Sequence, residues 1–165
     1  MLNREAFEAA LHPAFAEASD FAKQGDWTRI IKNRLVQLAP KGSYTSASST
    51  PGACHGEWLM DVCWTEYQFA DHRRDWELKR FILAAEIEWA GNAGDILDDF
   101  EKLLFLAAEY RLLITQAVSD ENWRTPAEVH AQLGLRKLVT NSPVQSPLVL
   151  CCFERGSWNA HWFDV

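Results

Sequence analysis

No apolar run in this chain reaches the roughly 20 residues needed to span a bilayer. The N-terminal stretch, with Arg4, Glu5, Glu8 and His12, lacks the apolar segment of a secretory signal. Together these absences lead to the expectation of a soluble cytoplasmic protein without a membrane partner. Basic charge is scarce as well: 16 Lys and Arg stand against 23 Asp and Glu, a net charge of −7. That balance excludes a protein that coats nucleic acid non-specifically, because such binding needs a basic surface. It leaves open a local basic groove, or a site where a divalent metal supplies the positive charge. None of the four cysteines (Cys54, Cys63, Cys151 and Cys152) stands in C-x-x-C spacing. They read as small buried hydrophobes in a reducing compartment, not as a disulfide frame or a zinc knuckle. His55, beside Cys54, has no second spaced pair and reads as a loop residue; His12, His72, His130 and His161 are too scattered for a triad. Internal repeats and low-complexity tails are missing too.

What the chain does have is apolar volume. With 48% hydrophobic residues in 165, it can bury a core without metal or disulfide staples. It reads as one domain over residues 1–165, a helical part at 4–38 followed by an α/β core at about 43–165. Helical spacing covers Arg4 to Lys23, interrupted by Pro13, which predicts one kinked helix or two short ones. Asp26 can cap a second helix to Leu38, with Ile30, Ile31, Leu35 and Leu38 as its apolar stripe and Arg29, Lys32, Asn33 and Arg34 as its polar side. A short edge strand is predicted near Tyr44 to Ala47 and a firmer one over 58–64. Residues 71–79 read as a charged connection and 81–89 as a buried strand. Beyond the turn at Gly91–Gly94, read as a hinge, Asp95 caps a strong helix whose core stripe is Ile96, Phe100, Leu103, Leu104 and Ala107. A strand at 111–118, a helix at about 125–139 with Pro126 in its first turn, and strands at 148–153 and 158–163 complete an α/β fold with a mixed sheet.

The chemistry concentrates on the strand Phe81–Trp89, apolar almost throughout and closed by two acids. Alternation along a strand puts Glu86 and Glu88 on one face, roughly 7 Å apart, within reach of one small site. Two carboxylates at the end of a buried strand are costly unless a cation or hydrogen-bond donors sit between them. Asp61 is a third acid where none is expected, interrupting Trp58-Leu59-Met60-Asp61-Val62-Cys63-Trp64. If the two strands pair antiparallel, Asp61 can approach the Glu pair at one end of the sheet. Converging carboxylate oxygens suit Mg2+ or Mn2+, hard cations that leave room for water and a substrate phosphate.

An acid in one strand, a spacer, an apolar strand ending in acid-x-residue, then a helix and another strand resembles the core of the PD-(D/E)XK, or restriction endonuclease-like, superfamily. The resemblance covers Gly56 to Val118, a little under half the chain. It implies a three-layer fold, a central mixed β-sheet flanked by helices, and metal-dependent hydrolysis of nucleic acid, often by a dimer. Asp61 matches the first metal-binding acid of the family and Glu86 the acid of its second motif. The position two further on is usually lysine, and here it is Glu88. Some active members carry glutamate there, and in others the lysine has moved to the following helix, where Lys102 stands in this chain. The family's motif proline is absent. The acid often found in the preceding helix is missing too, unless Glu17 in the first helix serves.

Each of these residues also has a plainer reading. Glu86 and Glu88 can pair with Arg73, Arg74 or Arg80; Asp61 can cap a turn; Lys102 can pair with Asp98 on a helix surface. Trp64 and Trp89 lie near the site, with base stacking and core packing both open to them. Two function classes follow. One is a Mg2+- or Mn2+-dependent nuclease using Asp61, Glu86, Glu88 and Lys102, the three acids as metal ligands. The other is a catalytically silent protein of the same fold acting as an interaction or regulatory module.

Overall fold

The computed structural model of the chain describes residues 4–19, 24–54, 56, 59–70, 75–89, 93–116, 144, 146–154 and 157–163. Among these residues three helices and six strands run in the order α1 (Arg4–Ser19), α2 (Gln24–Leu38), β1 (Tyr44–Ala47), β2 (Val62–Ala70), β3 (Asp75–Glu88), α3 (Ala93–Phe105), β4 (Ala108–Gln116), β5 (Leu148–Glu154) and β6 (Ser157–Phe163). The strands form one sheet in chain order, β1 to β6. Both β1–β2 and β2–β3 are antiparallel, β3–β4 and β4–β5 parallel, and β5–β6 antiparallel again. The chain is thus an α/β protein with a mixed sheet, as its patterning predicts.

Side-chain alternation sends the two faces of the sheet to different helices. Leu83, Ala85 and Ile87 of β3, with Leu112 and Ile114 of β4 and Val149 of β5, pack on Phe7 and Leu11 of α1 and Ile31 and Leu35 of α2. Ala84 of β3, Leu113 of β4 and Leu150 of β5 pack instead on Ile96, Phe100, Leu103 and Leu104 of α3. Strands covered on both sides must be apolar on both sides, which is why β4 reads Leu112-Leu113-Ile114 without alternation.

Several boundaries differ from the patterning. α1 continues through Pro13 as one helix. The firm strand begins at Val62 and extends to Ala70, and β3 begins at Asp75, inside the stretch that reads as a charged connection. Here β2 and β3 form a ribbon that, among the described residues, pairs with no further strand, since β1 pairs with 62–65 and β4 pairs with β3 from Phe81 onward. Tyr67 and Phe69 pair with Leu78 and Trp76 across the ribbon, and their alternation with Gln68, Glu77 and Lys79 is masked in the sequence by the charges around it. α3 ends at Phe105, so Ala107 falls beyond its stripe. Cys54 is exposed, against the expectation of burial, while Cys63 and Cys151 are buried. The helix predicted at 125–139, His55 and the Gly91–Asn92 part of the hinge turn lie outside the described residues.

Arg111 is wholly buried. Its guanidinium donates to the carbonyls of Leu103 (3.2 Å) and Leu104 (3.5 Å), at the C-terminal end of α3, and to those of Val144 (3.3 Å) and Ser146. One cation therefore closes the last turn of α3 and fixes the segment that enters β5. Among the described residues, no helix is long and apolar enough to cross a membrane.

Candidate functional site

Antiparallel pairing of β2 with β3 ends at Val62↔Ala85. Past that pair the ladder is continued by two carboxylates. The Asp61 N–H donates to Glu86 Oε2 (3.1 Å), and the Ile87 N–H donates to Asp61 Oδ2 (2.9 Å). Each acid takes the place of a backbone carbonyl in the neighbouring strand, and the exchange locks the two head groups beside each other. The antiparallel approach expected from the sequence is what brings them together. Glu88, the last residue of β3, lies one pleat further on, half-buried and in register with Thr115 of β4.

Two lysines reach this pair from opposite helical layers. From α3, Lys102 Nζ lies 3.4 Å from Glu86 Oε1 and 2.5 Å from Asp99 Oδ1. The plainer pairing expected for Lys102, with Asp98 four residues before it, gives way to Asp99, three before it. From α2, Lys32 Nζ lies 2.7 Å from Asp61 Oδ1 and 3.1 Å from Ser48 Oγ. Patterning assigns Lys32 to the polar side of its helix, yet its side chain is only 7% exposed, against 52% for Lys102. A lysine at the margin of an apolar stripe carries no local sign of burial. Its partner stands 29 positions later, and only the tertiary fold joins them. Lys32 and Asp99 are the site residues that sequence reasoning misses.

The electrostatics are uneven. Burial pushes the Glu86 carboxyl up to about 7, and the nearby charges of Asp99 and Asp61 act in the same direction. The Asp61 N–H and the Lys102 ammonium pull the other way without cancelling the effect. Lys102 is held above its ordinary value, first by its hydrogen bond to Asp99. Cys63, on the same face as α3, is pushed up to about 11, mainly by burial, so its thiol stays protonated. Glu86 is therefore a buried carboxyl short of positive charge.

Tryptophans frame the site unequally. Trp64 is fully buried, so it packs the core and offers no stacking face. Trp89 is half-buried, donates from Nε1 to Thr28 Oγ1 (2.7 Å), and meets Trp27 edge-on with ring centroids 5.4 Å apart. Thr28 stands one helical turn before Lys32, so α2 contacts both the β3 end and Asp61. A groove of about 230 Å³ between α1 and α2, lined by Arg29, Asn33 and Arg34 among others, includes none of the charged residues of the site.

Among the described residues, no group of three or more His, Cys, Asp or Glu side chains is placed to hold a metal ion by itself. The pair Asp61–Glu86 still fits Mg2+ chemistry, since that ion keeps several waters and is commonly held by one or two carboxylates together with substrate phosphate. Comparison with protein-family profiles, curated proteins and solved structures returned no match.

Proposed function

We propose that this protein is a divalent-cation-dependent phosphodiesterase acting on nucleic acid, built on a restriction endonuclease-like fold. The observation that carries the reading is the carboxylate pair itself: Asp61 and Glu86 are locked head to head by reciprocal backbone hydrogen bonds. Lys102 meets Glu86 from the next helix, at the position that the resemblance points to. The run β2-β3-α3-β4 follows the element order on which that resemblance rests. A buried carboxyl whose proton affinity is raised by desolvation lowers stability, and such groups concentrate where function needs them.

On this reading Asp61 and Glu86 would hold Mg2+ or Mn2+, and Glu88, which forms no group of three with them, is not a ligand. The bound ion would polarise the phosphodiester and make a nucleophilic water at neutral pH. The ladder hydrogen bonds fix the direction of both carboxylates, so no reorganisation is needed when substrate arrives. Lys102, half-exposed on the α3 side, donates to a phosphate oxygen or orients the attacking water. The test is hydrolysis of single-stranded and duplex DNA and RNA with Mg2+ or Mn2+. Wild type should cleave at least one of these, and Glu86→Ala should lose roughly 100-fold or more in rate. Cleavage unchanged in Glu86→Ala would sink the reading.

A silent interaction module of the same fold is favoured by one observation, the Lys32 ammonium already seated on Asp61. Calorimetry separates the two: a silent site takes up neither Mg2+ nor Mn2+ at millimolar concentration.

A further inference from the structure

Two lysines serve the carboxylate pair, and they are not equivalent. Lys102 is half-exposed and anchored on Asp99, so it can leave Glu86 for water at little cost. Lys32 is enclosed between α2 and the sheet end, with its ammonium 2.7 Å from Asp61 Oδ1. A buried ammonium stays only where a partner offsets its desolvation. It also has a second acceptor, Ser48 Oγ at 3.1 Å, just past the end of β1. Ammonium and a divalent ion cannot share one carboxylate oxygen closely, because like charges repel strongly at such distances inside a protein.

We infer that Lys32 is the resident cation of this site, a positioning residue that occupies Asp61 until a divalent ion displaces it, and that it thereby sets the site's cation affinity. This rests on the reading of Asp61 and Glu86 as a metal-carrying pair. In the metal-free protein the ammonium keeps Asp61 oriented, with its other oxygen accepting from the Ile87 N–H. When a divalent ion arrives at Asp61, the flexible lysine stem lets the ammonium draw back onto Ser48. No bond is made or broken and no proton moves; one cation replaces another on Asp61. The cost of that exchange makes the wild-type site bind cations less tightly than its two carboxylates alone would.

The experiment titrates Mn2+ into the full-length wild type, Lys32→Met and Lys32→Arg, followed by calorimetry and by the rise of melting temperature with Mn2+. Lys32→Met keeps the bulk of the side chain and removes the charge, and it should bind Mn2+ at least tenfold more tightly, about 1.4 kcal/mol. Lys32→Arg keeps a cation on Asp61 and should remain near the wild-type affinity. A purely structural lysine would not raise affinity when it is removed. Should Lys32→Met be unfolded without metal, Mn2+ must restore a cooperative unfolding transition, since it supplies the missing charge. Wild type binding Mn2+ as tightly as Lys32→Met, or more tightly, overturns the exchange while leaving the metal site standing. Absence of Mn2+ binding in all three proteins overturns both.

Discussion

The strands β2 and β3 carry one cluster of charges midway, where they leave the rest of the sheet as a ribbon, and another past the Val62↔Ala85 pair, and the two clusters behave in opposite ways. Midway, Glu66 accepts from Lys79 Nζ and Arg80 Nε, both at 2.6 Å, and Arg80 also pairs with Glu109 of β4. Past the Val62↔Ala85 pair, Glu86 and Asp61 meet Lys102 and Lys32. The residue types and numbers are much alike. Yet the hydrogen bonds from Lys79 and Arg80 hold the Glu66 carboxyl below its ordinary range, whereas burial lifts that of Glu86 to about 7. Partner count does not decide the sign; access to water does. The ribbon cluster stays solvated and orders an otherwise bare hairpin. The buried cluster has left water without full compensation, as expected of groups kept for chemistry.

Three measurements would break or sharpen that contrast. The largest effect should come from Lys32→Met in metal-free buffer, which leaves Asp61 without its cation. A loss of about 3 kcal/mol is expected from urea unfolding; a loss too small to measure would mean that the pair is as solvated as the ribbon. Next comes pH. Because the folded state holds the Glu86 proton more tightly than the unfolded chain, Glu86 favours folding in acid. That contribution is lost as pH rises from the ordinary carboxylate range through about 7. Unfolding at pH 5 and pH 8 should reveal a fall on the order of 2 kcal/mol attributable to this residue. Glu86→Gln should flatten the slope and be the more stable protein at pH 8, and a steeper slope in the variant would contradict the assignment. Smallest is Glu66→Gln, whose effect on melting temperature should shrink further in 0.5 M salt, as exposed ion pairs do. Its pH dependence has the reverse sign: the stabilisation by Glu66 is present at neutral pH and disappears only in acid, below the usual carboxylate range. Insensitivity to salt would place it with the buried cluster instead.

What the sequence discloses follows from how locally each feature is encoded. Glu86 and Asp61 stand out because an acid breaks an apolar run, a signal contained within a few residues; the run around Asp61 reads as strand, whereas Asp61 stands one residue before β2, and the antiparallel pairing of β2 with β3 still joins the two acids. The stripe of α3 through Ile96, Phe100, Leu103 and Leu104 is equally local, and all four are buried. Lys32 is not local. Its burial depends on a sheet end formed by residues up to 55 positions away, and a basic residue beside Ile31 looks the same whether it meets water or Asp61. The first residues of β3 are legible only in part: Trp76 and Leu78 alternate with Glu77 and Lys79, but the charges on either side make the stretch read as a connection, and its pairing with Tyr67 and Phe69 across the ribbon is set by the fold. Arg111 sits in a stretch that reads as a strand, but nothing nearby announces that its guanidinium serves the end of a helix.

The order of the sheet has a consequence for how the molecule is made. Strands that neighbour one another in space in the same order as along the chain can dock one after another as synthesis proceeds. Lys32, Asp61, Glu86 and Lys102 are all translated before β4 begins, so the charged cluster can assemble while the C-terminal third is still unmade. The exposed moment comes next. Between the completion of β4 and the arrival of β5, Leu112-Leu113-Ile114 forms an open parallel edge, apolar on both faces, and an unpaired edge of that kind invites pairing with another nascent chain. Premature release at that stage, more than damage to the finished site, is where this fold is vulnerable to aggregation.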